Sequence, residues 1–352
     1  MSRSWEANVR KVVPYVPGEQ PKLPNLVKLN TNENPYPPSP AVRKVLEEMN
    51  TDDLRLYPDP AADALVDAFA EVYGLEKDQV FTGVGSDDVL AMSFLTFFNS
   101  DQPILFPDIT YSFYDVWADL FRIPYKQIPL DENFVIRPED YTIRNGGVIF
   151  PNPNAPTGVL LGREQVRSII KANPDVVVIV DEAYIDFGGE SVIDMIGTYD
   201  NLLVVQTLSK SRSLAGMRIG AAFGNAKLIA YLNDVKYSFN SYTMNRTAIA
   251  AGRAAVLDTD YFRETVEKVI NTREWTKERL RELGFEFGDS MANFIFARHK
   301  SVPAEELFAE LRKAGIIVRY FKKPRIDQYL RISIGTDEQM QRLIGFLKEY
   351  LA

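Results

Sequence analysis

The sequence has no cysteine and a single histidine, His299, among its 352 residues. The first absence excludes disulfides, zinc–thiolate and iron–sulfur centres, and any thiol nucleophile. The second excludes an HExxH metal site and leaves very little room for a Ser–His–Asp triad. Positive charge is also scarce: 40 Lys and Arg stand against 48 Asp and Glu, a net charge of −8. A phosphate backbone needs a concentrated basic surface, so no nucleic-acid partner is expected. No apolar run approaches the roughly 20 residues of a membrane-spanning helix, and the N-terminus carries no apolar signal region. A cytoplasmic protein without membrane association is the expectation. With 46% hydrophobic and 25% charged residues the composition is that of an ordinary folded chain. Any chemistry must come from Lys, Arg, Asp, Glu, Tyr, Asn or a borrowed cofactor.

The first forty residues are punctuated by proline and read as an irregular arm. Helices are expected from Pro40 to about Met49 and from Pro60 to Tyr73, the second stopped by Gly74. Short apolar runs follow at Ile104–Phe106, Val148–Phe150, Val176–Val180 and Leu202–Val205. They lack polar alternation, which implies strands buried on both faces of a mainly parallel sheet between helices. Beyond about residue 245 comes a charged linking helix, Asp258–Leu283, then strands at Phe294–Ala297, Ile316–Tyr320 and Leu330–Ile334 with helices between and after them. The reading is an α/β chain in three parts: an arm (1–38) joining the small domain, a large domain (39–250) and a small α+β domain (251–352).

Ligands of such sheets sit beyond the carboxyl ends of the strands, so the residues after each apolar run carry the argument. One run ends in Asp181-Glu182-Ala183-Tyr184, placing a carboxylate where burial demands a positive partner or a capping role. The next ends in Thr207-Leu208-Ser209-Lys210, a lysine that is either a Schiff-base residue or a solvated loop side chain. Arg218 lies between Gly216 and Gly220, and Gly83-Val84-Gly85-Ser86-Asp87-Asp88 opens a helix whose N-terminus suits an anion. That glycine pattern is neither a dinucleotide fingerprint nor a P-loop. Asp87 and Asp88 would repel a phosphate, so contact is expected through backbone N–H groups, and Ser86 could equally be an N-cap. Lysine, carboxylate, helix mouth and arginine together are what pyridoxal 5′-phosphate requires.

Ser-Lys-x-x-x-Leu-Ala-Gly-x-Arg-x-Gly, Asp-Glu-Ala-Tyr and Pro-Thr-Gly, in this order, resemble the fold-type I aminotransferases. Pro14–Gly18, Leu29–Pro35, Tyr57–Asp59 and Leu330–Gly335 are similar to motifs of their histidinol-phosphate aminotransferase branch, and the likeness runs from about residue 10 to the C-terminus. The resemblance implies that Lys210 carries the cofactor and shuttles the proton, while Asp181 pairs with the ring nitrogen. Tyr184 would bind the ring's phenolic oxygen and Tyr111 would stack on its face. The backbone of Ser86 and Asp87, with Thr207, Ser209 and Arg218, would hold the phosphate. Tyr57 would reach the cofactor phosphate of a neighbouring subunit, implying a homodimer. Where the family has Asn before Pro-Thr-Gly, this chain has Ala155; Asn154 is the nearest substitute, or else it only shapes the turn.

Arg319 and Arg331 are expected side by side, and the resemblance implies that they capture the phosphate of histidinol phosphate or a carboxylate of glutamate and 2-oxoglutarate. Tyr15 and Asn32 would close over the substrate. Lys322, Lys323 and Arg325 read as a solvated basic edge, and His299 as structural or exposed. Two other activities stay open on this scaffold, an aromatic amino acid aminotransferase and a threonine-phosphate decarboxylase. A non-catalytic regulator would need an added DNA-binding segment, and an NAD-type dehydrogenase a glycine pattern this chain lacks.

Overall fold

The computed structural model describes residues 4–21 and 25–352; the irregular course expected at 1–3 and 22–24 lies outside them. After a first short strand, β1 (Val27–Lys28), seven strands form the central sheet. They are β2 (Val80–Gly83), β3 (Ile104–Pro107), β4 (Tyr125–Ile128), β5 (Val148–Pro151), β6 (Val178–Asp181), β7 (Leu202–Thr207) and β8 (Gly220–Phe223). Their order is β2-β8-β7-β6-β5-β3-β4. β3 to β7 run parallel, and β8 is antiparallel to both of its neighbours.

Alternation decides where each strand residue packs. Leu105, Val148, Phe150, Val180 and Val204 enter one core with α1 (Pro40–Glu47), α2 (Asp63–Tyr73), α5 (Arg163–Ala172) and α7 (Arg246–Leu257). Phe106, Ile149, Ile179, Leu203 and Val205 enter the other with α3 (Gly85–Phe97), α4 (Tyr114–Phe121) and α6 (Ala226–Phe239). Each such side chain contributes about 1.5–3 kcal/mol on burial, so the apolar runs fix this sandwich. The sheet is mainly parallel and lies between helices, as those runs imply. Ser39 caps α1 by accepting from the Ala41 amide, and Gly74 ends α2 at φ +67°. α2 starts at Asp63 rather than Pro60, because Asp59 takes the Ala61 and Asp63 amides and holds 60–62 in a turn.

A separate core joins α8 (Thr259–Glu282), β9 (Phe285–Phe287), β10 (Phe294–His299), α9 (Ala304–Lys313) and α10 (Asp337–Leu351). The apolar period of α10 buries Met340, Leu343 and Leu347. The stretch Ile316–Tyr320 is not one strand. β11 (Ile316–Ile317) pairs in parallel with β1, whereas β12 (Arg319–Tyr320) pairs antiparallel with β13 (Leu330–Ser333). Backbone groups before Val318 are satisfied by the arm and those after it by the four-stranded sheet β12-β13-β10-β9. Val27 and Leu29 of the arm are buried in this separate core.

Candidate active site

The carboxyl ends of β3, β5, β6 and β7 and the N-terminus of α3 converge on a cavity of about 230 Å³. Ser86, Asp87, Tyr111, Asp181, Tyr184, Thr207, Ser209, Lys210 and Arg218 line it. A second chamber of about 150 Å³ shares Tyr111, Tyr184 and Lys210 and adds Tyr15, Asn32, Arg319 and Arg331. The lysine therefore stands where the two chambers meet.

Asp181 ends β6 and is 4% exposed. Its Oδ2 accepts from the Tyr114 hydroxyl at 2.9 Å and its Oδ1 from the Ala183 amide at 3.2 Å, so it also caps the following turn. Burial pushes its carboxyl up to about 6, because these donors offset only part of the lost hydration. A cation beside it would supply the missing compensation. Lys210 Nζ donates to the Thr31 carbonyl at 3.3 Å and sits 5.7 Å from the Tyr184 ring centre. The lysine loop is pinned by Asn34, whose amide donates to the Lys210 and Ser211 carbonyls at 3.1 and 3.2 Å. Ser211 also donates to the half-buried Asp186 at 2.5 Å.

At the other end of the cavity the Thr207 hydroxyl donates to the Ile219 carbonyl and accepts from the Ser209 amide, both at 3.1 Å. Arg218 Nη2 donates to Asp87 Oδ2 at 3.0 Å, and Asp87 Oδ1 accepts from the Tyr111 hydroxyl at 2.7 Å. Asp88 turns back to accept from the Val84 amide at 2.9 Å. Neither carboxylate is unpartnered in the cavity, and Ser86 lies in the first turn of α3 rather than capping it. Gly85 has φ +83°, and a Cβ there would come within 2.6 Å of the Arg218 guanidinium. Glycine is what lets this cation reach the helix mouth.

In the second chamber Arg319 and Arg331 are register partners across β12 and β13. Arg331 donates to the Asn30 carbonyl at 2.9 Å, and its guanidinium lies over the Phe294 and Phe321 rings. Burial lowers its pKa from the usual guanidinium value, and the neighbouring Arg319 adds to the effect. Arg319 donates to the Val16 carbonyl at 3.4 Å. Both guanidiniums thus rest on backbone carbonyls, leaving charge available to an anion. Asn32 donates to the Tyr184 hydroxyl at 3.0 Å and is itself held by Ser333 and Asn293. The Tyr15 ring stacks on Phe113 at 4.1 Å.

One residue weighed as a cofactor contact, Asn154, is not in the cavity wall. Asn154 is folded into its own turn, donating to the Ile109 carbonyl and Thr157 hydroxyl at 2.9 and 3.1 Å. Ala155 lines the cavity in its place, so Asn154 shapes the turn. Tyr57 is 77% exposed, with its ring stacked on Tyr242. Arg325 is exposed, as read, but tethered: it pairs with Asp108 at 2.7 Å and donates to the Leu130 and Asp131 carbonyls. Lys322 does sit in an exposed pair with Glu305. His299 is structural, its Nδ1 accepting from the Val302 amide at 3.0 Å.

Tyr114 and Asn34 escaped the sequence reading. Tyr114 follows Tyr111 by three residues, a helical spacing that could have indicated a shared face. Glu182 was quoted only as part of a motif, yet it is buried and accepts from Ser191, Gln206 and the Val192 amide. Among the described residues no group of His, Asp and Glu could hold a metal ion, and no helix is long and apolar enough to cross a membrane.

A doubly wound sheet with a lysine between a carboxylate pocket and an arginine-lined chamber defines a cofactor-dependent group-transfer enzyme. The chain belongs to the aminotransferase class I and II family, whose model matches residues 24–347. The histidinol-phosphate aminotransferase of Pseudomonas syringae pv. syringae (strain B728a) is 57% identical over 349 residues, 99% of this chain and 100% of that protein. That of Lactococcus lactis subsp. lactis (strain IL1403) is 51% identical, covering 99% of this chain and 97% of the relative. The crystal structure of the histidinol-phosphate aminotransferase from Clostridium acetobutylicum matches with a TM-score of 0.85 at 25% identity, over 93% of this chain and 99% of that one. The Sinorhizobium meliloti enzyme, solved in complex with pyridoxal 5′-phosphate, shares the fold at a TM-score of 0.85 and 21% identity, over 92% and 90% of the two chains.

The family's cofactor is pyridoxal 5′-phosphate. The residues present fit it: a buried carboxylate short of a cation, a lysine amine, and an arginine at a glycine-opened helix mouth.

Proposed function

We propose that this chain catalyses the reversible transfer of an amino group between L-histidinol phosphate and 2-oxoglutarate, a step of histidine biosynthesis. The observation that carries the reading is the Arg319–Arg331 pair opening onto the chamber that holds Lys210. One forked cation pair serves a phosphomonoester in one half-reaction and a dicarboxylate in the other. The names of relatives more than half identical to this chain support the same substrates.

Pyridoxal 5′-phosphate supplies the carbonyl carbon that takes up the amino group and a ring that accepts the electron pair left at the substrate Cα. Asp181 holds the proton on the ring nitrogen, and Arg218, Thr207, Ser209 and the α3 N-terminus hold the phosphate. Lys210 Nζ moves the proton on and off Cα, the role for which its position between the chambers suits it. Tyr184, oriented by Asn32, binds the ring's phenolic oxygen, while Tyr111 covers the ring face. Tyr15 and Asn32 exclude water above the substrate. Tyr57 serves the cofactor phosphate of a second copy, so the working form is a cytoplasmic homodimer.

The test is to supply purified protein with cofactor, histidinol phosphate and 2-oxoglutarate, and to measure glutamate. No turnover overturns the assignment. Phenylalanine and threonine phosphate, tried in parallel, separate the two other activities, the second by carbon dioxide release.

A further inference from the structure

Tyr57 is an aromatic residue 77% exposed on this chain, yet it is held from two sides. Arg246, the first residue of α7, donates through Nη2 to the Tyr57 carbonyl at 2.9 Å and through Nε to the Leu56 carbonyl at 3.3 Å. The Tyr242 ring, itself 46% exposed, stacks on the Tyr57 ring at 4.7 Å with an interplanar angle of 28°. Three residues on, Lys236 donates to the Pro60 carbonyl at 3.1 Å from the C-terminal end of α6. Holding a large apolar ring in water costs side-chain entropy with little burial in return. Such an expense is offset when the ring is presented to something outside the chain.

Resting on the reading that Tyr57 serves the cofactor phosphate of a second copy, we propose that Arg246 and Tyr242 are positioning residues that act in trans. The guanidinium sets the backbone of Leu56 and Tyr57, and the Tyr242 face sets the direction of the phenol. Neither needs to touch the phosphate. Their contribution is felt in the site of the partner subunit, while the site on their own chain is indifferent to them.

Differently tagged chains co-expressed as hybrid dimers test this. In every hybrid one chain carries Lys210→Ala, so only one site can hold the cofactor covalently. The readout is the dissociation constant of lysine-held pyridoxal 5′-phosphate, followed by visible absorbance. With Arg246→Ala on the Lys210→Ala chain, that constant rises roughly tenfold, the loss of one hydrogen bond to a charged group. With Arg246→Ala on the lysine-bearing chain, it stays at the value of the hybrid without it. Equal effects in both arrangements, or none, overturn the proposal. Tyr57→Phe in the same arrangements separates the two levels. If it has no effect in trans, the underlying reading of Tyr57 fails; if it acts in trans and Arg246→Ala does not, only the positioning role fails. Should Arg246→Ala not assemble, Tyr242→Ala repeats the comparison, with Tyr242→Phe retaining the stack and the reference affinity.

Discussion

The Tyr114 hydroxyl donates to Asp181 Oδ2 at 2.9 Å, and both residues are buried. The bond favours the ionised carboxylate against the burial that pushes it up to about 6. Tyr114→Phe therefore raises the Asp181 pKa further, by about one to two units for a hydrogen bond to a charged group. In the role proposed for Asp181, cofactor affinity rests on the ionised form, so it is expected to fall as pH drops through that pKa. The midpoint of the affinity–pH curve, measured by absorbance titration, moves upward in the variant. An unmoved midpoint would show that another group titrates.

Glu182 is pushed up to about 7 by burial, despite three donors. Its folded pKa lies above the unfolded one, so its contribution to stability is complete below about pH 4.5 and is lost as pH rises through about 7. The cofactor-free protein is expected to lose on the order of 3 kcal/mol from this group between pH 4.5 and 8. Glu182→Gln flattens that slope in denaturant titrations at the two pH values.

Arg331→Gln removes a desolvated cation from the substrate chamber. We expect kcat/KM to fall by about a hundredfold for both histidinol phosphate and glutamate, on the worth of a charge-assisted pair. Arg319→Gln is expected to cost about tenfold, because its carbonyl contact is longer and leaves it less constrained. Steady-state kinetics on both substrates checks this; a loss confined to one substrate would assign the pair to that anion alone.

Gly85→Ala puts a methyl group against the Arg218 guanidinium at φ +83°. The unfolding free energy falls by about 1–2 kcal/mol from backbone strain. Cofactor affinity falls by more than tenfold, since Arg218 must withdraw from the helix mouth. Parallel unfolding and cofactor titrations separate the two effects.

Residues whose chemistry follows from their place on a buried strand were readable in advance. Val176–Val180 and Leu202–Val205 have no polar alternation, so burial on both faces was forced; Asp181 ends the first strand and Lys210 lies just beyond the second. β4, with Tyr125, Lys126 and Gln127 exposed, escaped notice because an edge strand needs no apolar run. Tyr114, Asn34 and Arg325 escaped because their roles depend on partners distant in sequence, Asp181, the lysine loop and Asp108. For Asn154 two readings stood open, a substitute ligand contact or a turn former, and the bonds within its own turn are those of the second.

The step from β11 to β12 at Val318 makes chain length there part of the chemistry. Side chains alternate along an extended backbone, so inserting one residue would turn Arg319 to the opposite face of its sheet. Ile316 and Ile317 cannot shift to compensate, because the arm strand fixes their register. The chamber's charge is thus encoded as a count of residues as well as a choice of them, and evolution can retune the anion it accepts by substitution far more readily than by insertion.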